Sequence, residues 1–159
     1  MEYECTNVLP CEVARMLATN HVNFGVRRGG VGAPLLTKSL LTRSRRGSAI
    51  AIAICACQEK VDLCAIARLL GWHAARLASP LEILALLGPD QQEISPVVQV
   101  DGLPVLIDAA LADAASAGSD RLLVNAGTHE LYLEMSLNEL IRLTRGTCAR
   151  VALPRSRWQ

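Results

Sequence analysis

Nine residues near the middle of the chain, Ser48 to Ala56, read SAIAIAICA. Isoleucine alternates with alanine, so an extended segment built from them is apolar on both faces and belongs at the centre of a sheet, covered above and below. The run is far too short to span a bilayer, which takes roughly 20 residues. Whatever fold the chain adopts must supply layers on both sides of this strand.

The neighbouring sequence supplies them at short intervals. Pro10 opens a predicted helix over 10–21, with Val13, Met16 and Leu17 on one side. A short strand is expected at 22–26, then a glycine-rich turn at 27–34 that lacks the strand–GxGxxG–helix setting of a nucleotide loop. Residues 35–44, LLTKSLLTRS, form the strand before SAIAIAICA, joined to it by the Arg45-Arg46-Gly47 turn. Asp62 caps a helix that Gly71 stops. Ser79-Pro80-Leu81-Glu82 is a capping box with proline at the first helical position, and its helix ends at Gly88. Asp101-Gly102 predicts a hairpin between 95–100 and 103–108. A helix over 109–117, strands at 121–125 and 130–135, and a helix from Ser136 to Gly146 complete the series. Strands and helices without a regular βαβ rhythm predict an α/β fold on a mixed or antiparallel sheet.

Half of the residues (51%) are apolar but only 3% are aromatic, so the core is aliphatic. A length of 159 residues fits one domain, taken as 1–159. The acidic N-terminus has no secretory h-region. The six cysteines show no CxxC pair, and Cys55 and Cys57 are expected on one strand face as buried thiols. These features predict a soluble, reduced, cytoplasmic protein with no membrane segment. The net charge of +1 hides an asymmetry: no acid occurs between Val13 and Gln58, where Arg15, Arg27, Arg28, Lys38, Arg43, Arg45 and Arg46 lie. Such a block suits either an anionic partner, phosphate above all, or a solvated basic face.

Catalytic motifs are sparse. His21, His73 and His129 are far apart and outside any metal-ligand spacing, and no GxSxG elbow occurs. Lys38 stands out, because the chain uses lysine twice and arginine fourteen times. In a strand it shares a face with Leu36 and Leu40. A lysine so flanked must snorkel to water, pair with an acid, or face a pocket. Its compact charge suits a phosphate or a carbonyl oxygen in a narrow site better than a planar guanidinium does.

In order along the chain come TKSLL, the apolar strand, KVDLCAIARLLG, a helix ending at Leu87-Gly88, ISP, LPVLID and VNAG. This succession, over about 10–146, resembles the YbaK/ProX family of aminoacyl-tRNA deacylases, which share a fold with the editing domain of bacterial prolyl-tRNA synthetase. The resemblance implies a mixed, largely antiparallel sheet forming a partly open barrel with flanking helices. It implies hydrolysis of mischarged aminoacyl-tRNA in trans, with no metal, no cofactor and no side-chain nucleophile. The partner would be the tRNA acceptor end, with an aminoacyl-tRNA synthetase as an associated protein. Lys38 then matches the family's functional lysine, which holds the terminal adenosine phosphate and the substrate. The family's Gly-Gly-x-Ser-Pro loop corresponds to Gln92, Glu93, Ile94, Ser95 and Pro96, with both glycines replaced. Asp108, Asn125 and Gly127 match pocket-wall positions, although Asp108 also suits a helix N-cap. The charge block adds Arg43, Arg45 and Arg46 as expected phosphate contacts. A non-catalytic relative that binds tRNA, an aminoacyl-like ligand or a protein through the same pocket is the alternative.

Overall fold

The computed structural model describes residues 9–29, 35–89, 93–97, 103–118 and 120–153. Most of the expected glycine-rich turn, Gln92 and the Asp101-Gly102 pair lie outside the described residues.

Among the described residues, ten strands and five helices alternate irregularly. They are α1 (Cys11–Thr19), β1 (Gly25–Arg28), β2 (Thr37–Ser44), β3 (Ile50–Ala56), β4 (Lys60–Val61), α2 (Leu63–Leu70), β5 (Ala75–Leu77) and α3 (Pro80–Leu87). There follow β6 (Val105–Asp108), α4 (Ala109–Ser116), β7 (Arg121–Asn125), β8 (Leu131–Ser136), α5 (Leu137–Thr144), β9 (Thr147–Ala149) and β10 (Ala152–Leu153). The larger sheet runs β5-β2-β3-β6-β9 and the smaller β1-β8-β7, with β10 and β4 as a separate pair. Pairing is antiparallel except at β3-β6 and β6-β9.

SAIAIAICA does form the middle strand, β3, flanked by β2 and β6. Its alternation sorts two cores. Ile52 and Ile54 face a cluster between the sheets that includes Val13, Leu17, Ile107, Val124, Leu133 and Leu140. Ala53 faces the opposite cluster with Ile66, Ala67, Leu106 and Val151, closed by α2. Alanine on that face lets the helix approach closely, and isoleucine on the other fills the wider gap between sheets. Each buried isoleucine stabilises the fold by about 1.5–3 kcal/mol.

Two predicted helix starts have the expected chemistry. Asp62 accepts a hydrogen bond from the Ala65 N–H, and Gly71 closes α2 in the left-handed region at φ 71°. Ser79 and Glu82 form both hydrogen bonds of the capping box. The expected hairpin turn at Asp101-Gly102, with 98–100 of its first arm, lies outside the described residues. Of the second arm, β6 runs parallel to β3 over 105–107 and to β9 over 106–108, and all four of its residues are buried, as suits an inner parallel strand.

The two sheets meet at the start of β2. The Leu123 N–H donates to Leu35 O (2.9 Å), a parallel bridge links Leu36 with Leu123, and Thr37 Oγ1 donates to Leu123 O (2.7 Å). Further along the same edge, Ala78 N–H donates to Leu41 O and β5 pairs with 42–44. Between these two attachments, around Ser39, no strand among the described residues covers the edge of β2. The barrel is partly open there, and the opening positions the site.

Candidate functional site

A cleft of about 370 Å³ occupies this gap. It is lined by Thr37, Lys38 and Ser39 of β2, Cys57 beyond β3, Ile83 of α3, the segment Glu93-Ile94, Asn125 at the end of β7 and Tyr132 of β8. Its volume falls in the range of small-molecule sites, roughly 300–1,000 Å³.

Lys38 pairs across the ladder with Cys55. It is half-buried, and among the described residues no carboxylate lies within 4.0 Å of its ammonium. Its charge nevertheless reaches the thiols of Cys55 and Cys57. Burial pushes Cys55 up to about 11 and raises Cys57, and the ammonium opposes both shifts. The expectation of two buried thiols on one face holds for Cys55 alone. The strand ends at Ala56, and Cys57 is exposed at the cleft. With its pKa raised, Cys57 carries little thiolate near neutrality and is a poor nucleophile.

Glu93 enters the same cleft but is held away from Lys38. Its backbone N–H donates to Gly127 O (3.1 Å), its Oε2 accepts from Asn125 Nδ2, and its Oε1 lies 3.1 Å from His129 Nδ1. Asn125 is fixed in turn, since its Oδ1 accepts from the Gly127 N–H at 2.6 Å. Gly127 sits at φ 95°, a conformation glycine adopts without strain, so the turn after β7 can aim its carbonyl at the 93–97 segment. Ile94 joins the lining, whereas Ser95 and Pro96 are buried behind it, with Ser95 Oγ accepting from the Val97 N–H (3.4 Å).

Two side chains that sequence reasoning passed over, Ser39 and Tyr132, line the cleft, and His129, weighed in the sequence only as an isolated histidine, lies beside it. Ser39 Oγ is buried and has no hydrogen-bond partner among the described residues. Tyr132 has a raised pKa, through burial first and then the neighbouring Cys57, Glu93 and Glu130, so its phenol stays protonated as a donor. His129 is mostly exposed and meets the site only through Glu93. The sequence offered one signal for Ser39 and Tyr132: in strands, they fall on faces set by their neighbours' alternation. His129 had none, because its role depends on a segment far away in the chain.

Asp108 is placed differently from a pocket-wall residue. It is buried, takes the N-cap position of α4 without a side-chain cap, and its Oδ1 accepts from the N–H groups of Val151 (3.0 Å) and Ala152 (3.2 Å). It is not among the residues lining the cleft. The arginines also divide. Arg43 lies on β2 and is ion-paired with Glu82, which Arg76 also binds at 2.7 Å. Arg45 and Arg46 are exposed in the following turn, with no carboxylate within 4.0 Å among the described residues.

Among the described residues, no group of three His, Cys, Asp or Glu side chains is placed to hold a metal, and no helix is long and apolar enough to cross a membrane. The site therefore presents an ammonium, two hydroxyls free to bond a ligand and an anchored carboxylate around two isoleucines.

Comparison with known proteins agrees with this geometry. No curated protein sequence matches the chain. Among solved structures, the fold is similar to one described as "a putative trans-editing enzyme for prolyl tRNA synthetase". The two are 22% identical with a TM-score of 0.72, over 90% of this chain and 96% of that one. The hypothetical protein APE2540 is similar at 16% identity and TM-score 0.74, over 89% and 99%. A signal transduction protein from Marinobacter aquaeolei VT8, so described only provisionally, matches at 20% identity and TM-score 0.74 over 94% of this chain. The chain spans 32% of the length of that last protein. The sequence model of the aminoacyl-tRNA editing domain matches residues 19–143, most of the chain and every described cleft residue. The chain belongs to the aminoacyl-tRNA editing domain family.

Proposed function

We propose that the protein is a trans-editing hydrolase that cleaves the ester of mischarged aminoacyl-tRNA. The observation that carries this reading is Lys38, a lysine with no carboxylate within 4.0 Å among the described residues, at the rim of a small-molecule-sized cleft. An ammonium half-removed from water holds an anion more strongly than a solvated one. Lys38 binds the phosphate adjoining the terminal adenosine, which brings the aminoacyl ester over the uncovered edge of β2. Water adds to the ester carbonyl carbon, the acyl–oxygen bond breaks, and the ribose oxygen leaves with a proton. The products are the free amino acid and uncharged tRNA. Ser39 Oγ and the Tyr132 phenol are the free hydroxyls available to the carbonyl oxygen or the water. No side-chain nucleophile is needed, and the raised Cys57 thiol is poorly suited to be one.

Incubation with a panel of mischarged tRNAs, following release of labelled amino acid, tests the reading. Lys38→Ala is expected to lower kcat/KM at least 100-fold with the melting temperature preserved. Lys38→Arg should not restore activity, since a planar fork does not replace a point charge in a confined site. Hydrolysis of no aminoacyl-tRNA in the panel, with tRNA binding intact, would favour a non-catalytic binding module. The side chain of Glu93, standing where the family has glycine, is the feature that favours that alternative.

A further inference from the structure

We propose that Glu93 is a receptor for a free α-ammonium, so that the cleft selects a ligand with an anionic end at Lys38 and a cationic end at Glu93. The inference rests on the reading above for the identity of the ligand, an aminoacyl ester on a 3′-terminal adenosine.

Lys38 and Glu93 line one cleft and carry opposite charges, yet they do not pair within 4.0 Å. The carboxylate is held instead by neutral or exposed groups: the Asn125 amide, itself locked by the Gly127 N–H, and the His129 ring. An ionised carboxylate offers about four lone-pair sites, and these contacts use two. The remaining capacity belongs to a side chain that is 36% exposed, beside Ile83 and Ile94, and so only partly hydrated. A carboxylate in that setting is well suited to a charge-assisted hydrogen bond with an ammonium. Its backbone is also fixed, by the Glu93 N–H to Gly127 O bond, so little ordering is required when a ligand arrives.

The chemistry discriminates among esters. An aminoacyl group with a free amine satisfies both charges, whereas an N-blocked one places an uncharged amide against a half-buried carboxylate. Glu93 is therefore a specificity-determining residue that reads the amine and leaves the amino acid side chain to Ile83, Ile94 and Tyr132.

The test uses 3′-(L-alanylamino)-3′-deoxyadenosine 5′-phosphate and its N-acetyl derivative. In both an amide replaces the ester, so binding is read without hydrolysis. Calorimetric titration of the wild-type protein should show at least tenfold tighter binding of the free amine. The isosteric Glu93→Gln variant should lose this preference, and Lys38→Ala should weaken both compounds while keeping their ratio. Equal binding of the two compounds by the wild type, binding of neither, or a preference that survives Glu93→Gln would overturn the proposal. A preference that depends on Glu93 in a protein that deacylates no tRNA would sustain it while removing the hydrolase reading.

Discussion

A carboxyl group half-buried beside a second carboxylate holds its proton more tightly than in water, and Glu59 is so placed. Its pKa is raised by burial first, then by the charge of Asp108 and a hydrogen bond to it, with Lys38 opposing. A raised carboxyl pKa means that the folded state binds the proton better than the unfolded chain. Its contribution is full below the ordinary glutamate range and is lost as pH rises through the folded value. Glu59→Gln keeps a neutral donor for Asp108 at every pH. The variant should melt higher than the wild type at pH 7, with the gap closing near pH 4, as measured by thermal melts across that range. Lys38 makes a second testable mark on its surroundings. Removing its charge as Lys38→Ala should slow alkylation of Cys57 at pH 8, read by peptide mass spectrometry, because the ammonium favours the thiolate. An unchanged rate would mean that the ammonium does not face the cleft. Lys38 was conspicuous in the sequence because an ammonium among leucines needs an explanation. Glu93 was legible as a departure from a family loop. Its anchoring by Asn125 was not, because that contact joins residues 32 apart in the chain.

Elements with a chemical boundary were the ones that the sequence could delimit. Asp62, Ser79 and Ser136 each cap a helix through a side-chain oxygen accepting a backbone N–H three residues on. α3 has no fully buried residue, with Leu81 and Leu84 exposed, so its cap matters more than usual. Ser79→Ala should cost about 1 kcal/mol by chemical denaturation. It should also loosen the cleft wall that Ile83 provides. Strands β4, β5, β9 and β10 have two or three residues each, and exist because a partner strand lies alongside. No local pattern announces them. The join between α5 and β9 shows how tightly such pieces are seated. A Cβ on Gly146 would lie 2.7 Å from Ile107 Cδ1 and 2.9 Å from Thr144 Oγ1. Gly146→Ala should therefore destabilise by about 1–3 kcal/mol, and Ile107→Val should recover part of that loss in the double variant.

On the scale of the molecule, the basic block between Val13 and Gln58 is divided by folding. Arg15 pairs with Glu12, Arg27 with Glu134 and Arg43 with Glu82. Arg28, Lys38, Arg45 and Arg46 are left without a carboxylate within 4.0 Å among the described residues. Arg45 and Arg46 follow the far end of β2, and that strand from Lys38 to Ser44 spans roughly 20 Å at about 3.3 Å per residue, a separation that an acceptor stem can bridge. If tRNA phosphates meet this face, Arg45→Ala with Arg46→Ala should reduce the slope of log binding against log salt by about 2, through lost counterion release. Arg43→Ala should leave the slope unchanged and lower the melting temperature instead. The sequence by itself determined the central strand, the helix caps, the aliphatic core and the anomaly at Lys38, because periodicity, capping and charge act between residues close in the chain. The tertiary structure alone decided, among the described residues, which arginines lack a carboxylate partner, which edge of β2 no strand covers, and that Glu93 turns to Asn125 and His129 rather than to Lys38. Each of those outcomes depends on partners brought together from distant segments, whose distances no local pattern specifies.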